Sequence, residues 1–493
     1  MSELFAAWTS PGQALALPVT VALPLLGLGA LLLLRRHPNA REGASLLSGI
    51  LLAAAVLALW PVVDRGLRFE LWTWLPGLSL EFSLEPLGLL FATVAAVLWP
   101  VTTVFATGYL RADDERDQTR FFAFFALTIT AAMWIALSAN LVTLFIGYEL
   151  MTLATWPLVA HKGSADARRG SRTYLVVLLA TSIGLLLPAI VWTWLLAGST
   201  DFRPGGLLAG QAGTGVLTVL FALYLFGIGK AALMPVHRWL PAAMVAPTPV
   251  SALLHAVAVV KAGVFTVLKV AVYVFGLDTL SGSGAARPMM WVAAFTLLAA
   301  ALVALRSDDL KRRLAYSTVS QLAYIVLAAT VARDVAVAGG ALHMVTHAVG
   351  KITLFFCAGA IYITARKSRV SELDGLGRAM PWTFAAFLVA SISIVGLPPL
   401  GGTWSKWLLL LGAAEADQVV MLVVLLVGSL LALAYLMPIP MRGFFLPPPG
   451  PLAHGEARLT IAGPLVLTAV GCVALFFGAQ AVLAPLAGIL ELP

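Results

Sequence analysis

Apolar segments long enough to cross a lipid bilayer follow one another along most of this 493-residue chain. A helix needs about 20 predominantly apolar residues to span the hydrocarbon core. On this basis we predict fourteen spans, at 13–34, 43–63, 84–109, 119–138, 140–160, 173–197, 213–235, 250–275, 288–305, 314–332, 336–364, 380–411, 418–441 and 460–487. The pattern therefore predicts an all-α polytopic membrane protein, in agreement with a composition that is 60% hydrophobic and 11% charged.

The basic residues are distributed unevenly between the connections that join these spans. Of the 31 Lys and Arg residues, 21 lie in odd-numbered connections and five in even-numbered ones. Basic residues concentrate on the cytoplasmic side of membrane proteins. We therefore expect the odd connections to be cytoplasmic and both termini to lie outside. The net charge of +8 follows from this topology, so it does not indicate a nucleic-acid partner.

Two of the predicted spans are interrupted close to a lysine. The seventh span contains Lys230 and a proline, and the twelfth contains the motif GLPPLGG four residues before Lys406. Proline removes a backbone donor and glycine loosens the helix, so neither segment can remain continuous. The expected helix breaks are at Pro235, Pro398 and Pro399.

The two interrupted spans lie five spans apart, so they have opposite orientations in the membrane. Transporters built from inverted repeats place their sites at such discontinuous helices. We therefore expect spans 4–8 and 9–13 to form two inverted five-helix repeats. The predicted division is 1–118 for the first three helices, 119–275 for the first repeat, 276–445 for the second and 446–493 for the last helix.

Five lysines and one glutamate fall inside the predicted spans: Lys230, Lys261, Lys269, Lys351, Lys406 and Glu149. A lysine at the bilayer centre costs about 3 kcal/mol, so such residues usually face the bundle interior or a water-filled cavity. A lysine that snorkels to a headgroup is the alternative interpretation. Burial disfavours the charged amine and a nearby carboxylate favours it. We hypothesise that Glu149 pairs with Lys230 and gates proton movement; a purely structural ion pair is the alternative.

The segment HMVTHAVGK places His343, His347 and Lys351 at intervals of four, along one face of a helix. Three polar groups in register predict a proton relay that faces the bundle, although a lone membrane histidine more often serves helix packing. A metal or haem site is less compatible with the segment, because it lacks the HExxH glutamate and a protonated lysine repels cations. His255 and Lys261 are six residues apart, so we expect them to contact different neighbours.

The connections leave no room for a soluble catalytic domain. Residues 64–83 alternate polar and apolar positions and predict an outer hairpin, whereas residues 446–458 predict a proline-rich cytoplasmic turn. Cys357 and Cys472 have no metal-ligand spacing, and the sequence has no nucleotide-binding loop, so we expect no cofactor and no metal. A polytopic transferase that uses the paired histidines would need a polar surface loop, and none stands out.

Four blocks of sequence resemble a known family. KAALMPVHRWLPAAMVAPTPVSALLHAVAVVKAG, KRRLAYSTVSQLAYIVLA, HMVTHAVGKITLFFCAGAIY and VGLPPLGGTWSKWLLL are similar, in this order, to the antiporter-like subunits of respiratory complex I, membrane-bound hydrogenases and Mrp-type cation/proton antiporters. The resemblance implies fourteen helices, two inverted repeats and proton translocation along a central axis. The residues that it implicates are Glu149, Lys230, His255, Lys261, His343, His347, Lys351 and Lys406.

Within this family, the length and the relay segment HAVGKITLFF are most similar to the D-type subunits of Mrp antiporters. The resemblance implies a transporter subunit of the bacterial inner membrane, with other membrane subunits, protons, lipid and, through the complex, Na⁺ as partners. Membership of complex I or a hydrogenase is the alternative. In that case, we expect the chain to be a non-redox pump subunit of an oxidoreductase. As a subunit of an antiporter, we expect it not to be an enzyme.

Overall fold

The computed structural model describes residues 13–75, 78–448, 450 and 455–491, and it is predominantly helical. The longer helices are α1 (Gln13–Leu33), α2 (Pro38–Ala58), α3 (Pro86–Ala112), α4 (Gln118–Ala136), α5 (Leu141–Val159), α6 (Ala165–Ala197), α7 (Thr214–Gly227), α8 (Thr248–Phe275), α9 (Arg287–Arg306), α10 (Leu310–Val331), α11 (Asp334–Ala365), α12 (Pro381–Val395), α13 (Gly402–Glu415), α14 (Val419–Phe445), α15 (Leu459–Phe477) and α16 (Ala479–Gly488). The prediction that both chain ends lie outside concerns residues 1–12 and 492–493, which are not among the described residues. Part of the predicted turn at 446–458 is not among them either.

Twelve helices in the described part of the chain are long and apolar enough to cross a membrane. They correspond to twelve of the fourteen predicted spans. The other two predicted spans are broken in the structure. The seventh consists of the short helix α7 followed by an interruption, and the twelfth consists of the two short helices α12 and α13. A count of fourteen therefore depends on counting each broken segment as one span.

Local sequence explains where several helices begin and end. Proline occupies the first turn of α2, α3 and α12. Backbone N–H groups in the first turn have no acceptor within the helix, so the missing N–H of proline costs no hydrogen bond there. Asn140 caps α5 by accepting a hydrogen bond from the Thr143 N–H at 2.8 Å. Gly198 ends α6 with φ of +68°, a conformation that glycine adopts without strain.

The predicted hairpin at 64–83 is confirmed as two antiparallel strands, β1 (Arg68–Leu75) and β2 (Leu78–Ser83). Arg68 pairs with Ser83, and the register shifts twice between there and the tip. The Ser83 N–H donates to the Leu137 carbonyl at 2.7 Å, and the Asn140 amide donates to the Ser79 carbonyl at 3.1 Å. These bonds fix the hairpin across the connection between α4 and α5.

The centre of the bundle is formed by α8, α10 and α11. Every residue in the most apolar stretch of α8 is buried, compared with one third in α1 and α15. Helix α11 contacts α3, α8, α10, α12, α13 and α15. Because α8 and α11 carry most of the predicted proton-carrying residues, those residues are removed from the lipid-facing surface.

The first helix break differs from its predicted position. Helix α7 ends at Gly227, eight residues before Pro235, and Lys230 lies in a 3₁₀ turn (Gly229–Ala231) inside the break. The reason lies in a neighbouring helix, because the Lys230 N–H donates to the Tyr148 hydroxyl at 3.0 Å and not to a helical carbonyl. The predicted break at Pro235 therefore lies within an interruption that begins after Gly227 and contains only short helical turns before α8 begins at Thr248.

The second break agrees with its prediction. Helix α12 ends at Val395, Gly396 follows with φ of +91°, and α13 begins at Gly402. Pro398 and Pro399 lie between the two helices. Lys406 occupies the first turns of α13, as the sequence predicted for a new half-helix.

Candidate functional site

The predicted basic site residues are all buried in the protein interior. Their exposed fractions are between 0% and 6%: Lys230, His255, Lys261, His343, His347, Lys351 and Lys406. The alternative of snorkelling to the lipid headgroups is therefore incompatible with the structure. Buried ionisable groups in a membrane bundle are costly, so each needs a polar partner or a function.

Lys230 is held by α5 through several contacts. Its amine donates to the Tyr148 carbonyl at 2.8 Å and to the Thr152 hydroxyl at 2.7 Å, and it lies 3.2 Å from the centre of the Tyr148 ring. Glu149 is half-buried and interacts with Lys230 electrostatically. Its Oε1 has no hydrogen-bond partner within the described residues. The predicted pair of Glu149 and Lys230 is thus a proximity of charges and not a direct ion pair.

Lys261 and His347 make a direct contact between α8 and α11. The Lys261 amine lies 2.5 Å from His347 Nδ1, and both side chains are buried. The sequence predicted that Lys261 and His255 contact different neighbours, and this is confirmed. His255 packs against the Phe355 ring, with 4.7 Å between ring centres.

The contact with Lys261 continues along α11 toward α13. The His347 and His343 rings stack with centres 5.7 Å apart, as expected for residues spaced by four. His343 Nδ1 lies 3.0 Å from the hydroxyl of Ser405, the neighbour of Lys406. The His343 side chain also stacks on Tyr324, whose ring centre is 4.5 Å from the Lys406 amine.

Lys351, the third member of the predicted stripe, points toward α10. Its amine donates to the Ser317 hydroxyl at 2.6 Å and to the Leu314 carbonyl at 3.2 Å. It still interacts electrostatically with His347 and Lys261. Of the eight predicted residues, the structure therefore joins Lys261, His347, His343 and Lys406 most closely.

Glycines allow the broken segments to approach the helices beside them. A Cβ added to Gly263 of α8 would lie 2.4 Å from the carbonyl carbon of Lys230, so the helix backbone touches the first break directly. A Cβ on Gly402 would lie 1.8 Å from the Ser393 carbonyl oxygen. Such close backbone approaches require glycine.

Sequence reasoning missed the ion pair between Lys269 and Glu85. The Lys269 amine lies 2.6 Å from Glu85 Oε1 and donates to the Ser138 carbonyl at 2.6 Å. The lysine side chain is fully buried and the glutamate side chain is 12% exposed. Glu85 stands at the edge of an apolar run, where an acid is usually solvated. The signal available in the sequence was Lys269 itself, a lysine within an apolar span for which no partner was predicted.

Sequence reasoning also missed two tyrosines that lie beside lysines. Tyr148 lies under the Lys230 amine, and Tyr324 lies under the Lys406 amine at 4.5 Å. Aromatic faces stabilise cations by about 0.5–2 kcal/mol. The two tyrosines lie on the second helix of each predicted repeat, so the two broken segments have similar surroundings.

Comparison with known proteins identifies relatives among subunits of NADH- and NAD(P)H-quinone oxidoreductases. Residues 138–432 match the family described as NADH:quinone oxidoreductase/Mrp antiporter, TM. The chain is 31% identical over 467 residues to NADH-quinone oxidoreductase subunit N of Desulforudis audaxviator, covering 91% of this chain and 92% of that protein. It is 31% identical to subunit L of Mycobacterium tuberculosis, covering 92% and 73%. It is also 30% identical to NAD(P)H-quinone oxidoreductase subunit 5 of Drimys granadensis chloroplasts, covering 81% and 54%.

Solved structures agree on the fold. A chain of the Mrp complex from a Dietzia species superposes with a TM-score of 0.84 and 24% identity, covering 97% of this chain and 96% of that chain. A chain of an archaeal membrane-bound sulfane sulfur reductase has the same TM-score with 23% identity, covering 96% of each. The matched family spans more than half of the sequence and includes both broken segments. This multi-pass membrane protein therefore belongs to the transmembrane family shared by NADH:quinone oxidoreductases and Mrp antiporters.

Proposed function

We propose that this chain carries protons across the membrane as one subunit of a multi-subunit Mrp-type cation/proton antiporter. One observation carries the proposal: the buried groups Lys261, His347, His343 and Lys406 follow one another from α8 to α13. A chain of protonatable groups in an apolar interior is typical of proton relays in pumps and transporters. The proposed path includes all eight candidates: Glu149, Lys230, His255, Lys261, His343, His347, Lys351 and Lys406.

Amines and imidazoles suit this role because each exists in a charged and a neutral form. Burial disfavours the charged form, and a nearby carboxylate favours it. In the proposed mechanism, movement of the Glu149 carboxylate toward Lys230 stabilises the charged amine, and its withdrawal releases the proton. This movement is open to Glu149 because its Oε1 has no hydrogen-bond partner among the described residues. Lys230 is coupled to α8 because its backbone touches Gly263, two residues beyond Lys261.

The path is less suited to sodium. Hard cations prefer several oxygen ligands, whereas the proposed path consists mainly of nitrogen groups. We therefore propose that neighbouring membrane subunits carry at least part of the Na⁺ transport. The two inverted repeats, at 119–275 and 276–445, would each contribute one broken segment. The proposed location is a bacterial inner membrane with both termini outside, as the distribution of basic residues indicates.

The second candidate is a proton-pumping subunit of a complex I-like or hydrogenase-like oxidoreductase. It is favoured by the identity with NADH-quinone oxidoreductase subunit N over almost the whole chain. Identification of the subunits that purify with this chain distinguishes the two candidates. Iron–sulfur proteins indicate an oxidoreductase, and a set of small membrane proteins without redox centres indicates an Mrp-type antiporter.

Proton transport itself is tested with the purified complex in proteoliposomes that contain a pH-sensitive dye. We expect a Na⁺ gradient to drive proton movement in the wild type and Lys261→Met to slow it by at least about tenfold. Thr330→Val is a matched control because Thr330 is buried in α10 and its hydroxyl, among the residues that the structure describes, donates only to the Leu327 carbonyl of its own helix. Full transport in the Lys261 variant contradicts the proposed path. Transport by this chain alone contradicts the proposed need for neighbouring subunits.

A further inference from the structure

A cavity of about 190 Å³ opens where α8 and α10 begin and α11 ends. Its lining includes residues from the fifth, seventh, ninth and eleventh connections, which all belong to the side predicted to be cytoplasmic. At about 30 Å³ per water in the liquid, the volume corresponds to about six waters. The cavity is separate from the candidate proton path and large enough for a small anionic group.

The polar side chains that line the cavity are nearly all hydrogen-bond donors. They are three lysines and four hydroxyl residues: Lys162, Lys311, Lys367, Tyr109, Tyr362, Thr248 and Ser368. No aspartate or glutamate is among the lining residues of this described site. Ammonium groups have donors and no acceptor. The cavity is therefore electrostatically suited to an anion and unsuited to a cation.

The lysine charges are only partly neutralised from outside the cavity. Lys162 lies 3.5 Å from Glu115 and 3.9 Å from Asp113, and Arg366 shares Asp113 at 2.5 Å. Lys311 donates to the Ala246 carbonyl at 2.6 Å, which is a neutral acceptor. Lys162 repels Lys311, and the carboxylate of Asp309 offsets this repulsion only in part. An anion between these amines would relieve the repulsion and use donors that remain free.

We propose that this cavity binds a phosphate group, held by Lys311 and Lys367 and flanked by Lys162. The phosphate belongs either to the headgroup of an anionic phospholipid or to free inorganic phosphate. Lysine binds phosphate through charge-assisted hydrogen bonds, which are about twice as strong as neutral ones. The hydroxyls of Tyr109, Tyr362 and Ser368 supply further donors, whereas the Thr248 hydroxyl already donates to the Tyr109 oxygen.

A bound phosphate would also influence the candidate proton path. Thr248, which lines the cavity, begins α8, and His255 lies two turns further along that helix. His255 interacts electrostatically with Lys311. An anion beside Lys311 offsets the positive charge that His255 experiences. This effect on transport rests on the proposed function, whereas the binding of phosphate does not.

The test uses the purified complex without any gradient, so it remains informative if the transport proposal fails. Binding is measured by calorimetry with inorganic phosphate in detergent, and by thermal unfolding in nanodiscs of phosphatidylcholine with and without phosphatidylglycerol. Lys367→Gln is the main variant, since it removes the amine of a half-buried cavity residue just beyond the end of α11. Lys311→Gln is the second variant. Arg306→Gln is the control, because this exposed residue ends α9, belongs to the same predicted connection as Lys311 and lies outside the cavity lining.

We expect each lysine variant to weaken binding by about tenfold and Arg306→Gln to leave it unchanged. Binding of inorganic phosphate that depends on the two lysines identifies free phosphate as the source. Stabilisation by phosphatidylglycerol alone, with the same dependence, identifies a lipid headgroup. The proposal is overturned if neither probe binds, or if binding is equal in the wild type and in Lys367→Gln. Altered transport in Lys311→Gln without any anion binding also overturns it.

Discussion

Lys261 of α8 and His347 of α11 lie 2.5 Å apart in an interior where both side chains are almost completely inaccessible to solvent. The two residues are 86 positions apart in sequence and belong to different predicted repeats. One proton can occupy either the amine or the imidazole, since the ring nitrogen accepts when the amine donates. This contact is therefore the point at which the two halves of the candidate path meet.

The first prediction concerns this contact. We expect Lys261→Met and His347→Gln each to slow proton transport by at least about tenfold, as a lost charge-assisted hydrogen bond of about 1.5–3 kcal/mol implies. The double variant should be no slower than the worse single variant, because both changes interrupt the same step. Proteoliposome assays of the complex measure all three. Losses that multiply in the double variant contradict a shared step.

The second prediction concerns the backbone contact between α8 and the first broken segment. A methyl group at Gly263 would lie 2.4 Å from the Ala231 nitrogen and the Lys230 carbonyl carbon. We expect Gly263→Ala to destabilise the protein by about 1–3 kcal/mol and to impair transport, as overpacking does elsewhere. Gly43→Ala is the matched control, because a methyl there meets nothing within 4 Å and favours the helix of α2. Equal thermal unfolding of the two variants contradicts the close approach.

How far the sequence predicts this architecture is clear from three residues. Lys230 and Lys406 were identified because a charge inside an apolar span is costly, and this signal is local. The start of the first break was missed, because Lys230 bonds to Tyr148, 82 residues away. Bonds between distant segments leave no periodic trace in the sequence. The order of the spans was therefore predictable, whereas the partners of the buried groups were not.

Lys351 makes the same point within one helix. Its spacing from His347 predicted a continuous stripe, and the two histidines do stack. The lysine, however, donates to Ser317 on α10. A long flexible side chain selects its partner from the packing of neighbouring helices, which spacing alone does not encode.

The third prediction concerns the ion pair that the sequence did not reveal. We expect Glu85→Gln to destabilise the protein by about 3 kcal/mol, since it leaves the fully buried Lys269 amine without its carboxylate. Replacing both residues, as Glu85→Gln with Lys269→Met, should recover most of that loss. Arg68→Gln is the control, because its pair with Glu81 spans 3.6 Å with an arginine side chain that is 58% exposed. Such surface pairs contribute about 0–1 kcal/mol.

Thermal unfolding of the four proteins in nanodiscs measures these differences. The decisive comparison is between Glu85→Gln and the double variant. If the double variant is less stable than Glu85→Gln, the unpaired lysine is not the source of the loss.

The last prediction concerns pH and a histidine outside the membrane-spanning helices. Burial lowers the pKa of the His161 imidazole below its usual 6.5, and the cation of Arg120 acts in the same direction, as does Lys162 more weakly. The Arg116 backbone and the Asp117 carboxylate oppose this shift without cancelling it. Below pH 6.5 the unfolded chain therefore takes up a proton that the folded protein resists. Stability is complete above pH 6.5 and falls as the pH drops below it.

We expect the melting temperature to decrease between pH 7.5 and pH 5.5 and His161→Phe to reduce that decrease by about 1–2 °C. Phenylalanine preserves the edge-on contact that the imidazole makes with Phe121, whose ring centre is 5.8 Å away. The variant should therefore match the wild type at pH 7.5. Differential scanning fluorimetry at both pH values measures the effect. If the melting temperature of the variant decreases as much as that of the wild type, groups other than His161 cause the acid sensitivity. The reason is that only a group whose pKa differs between the folded and the unfolded chain makes stability depend on pH.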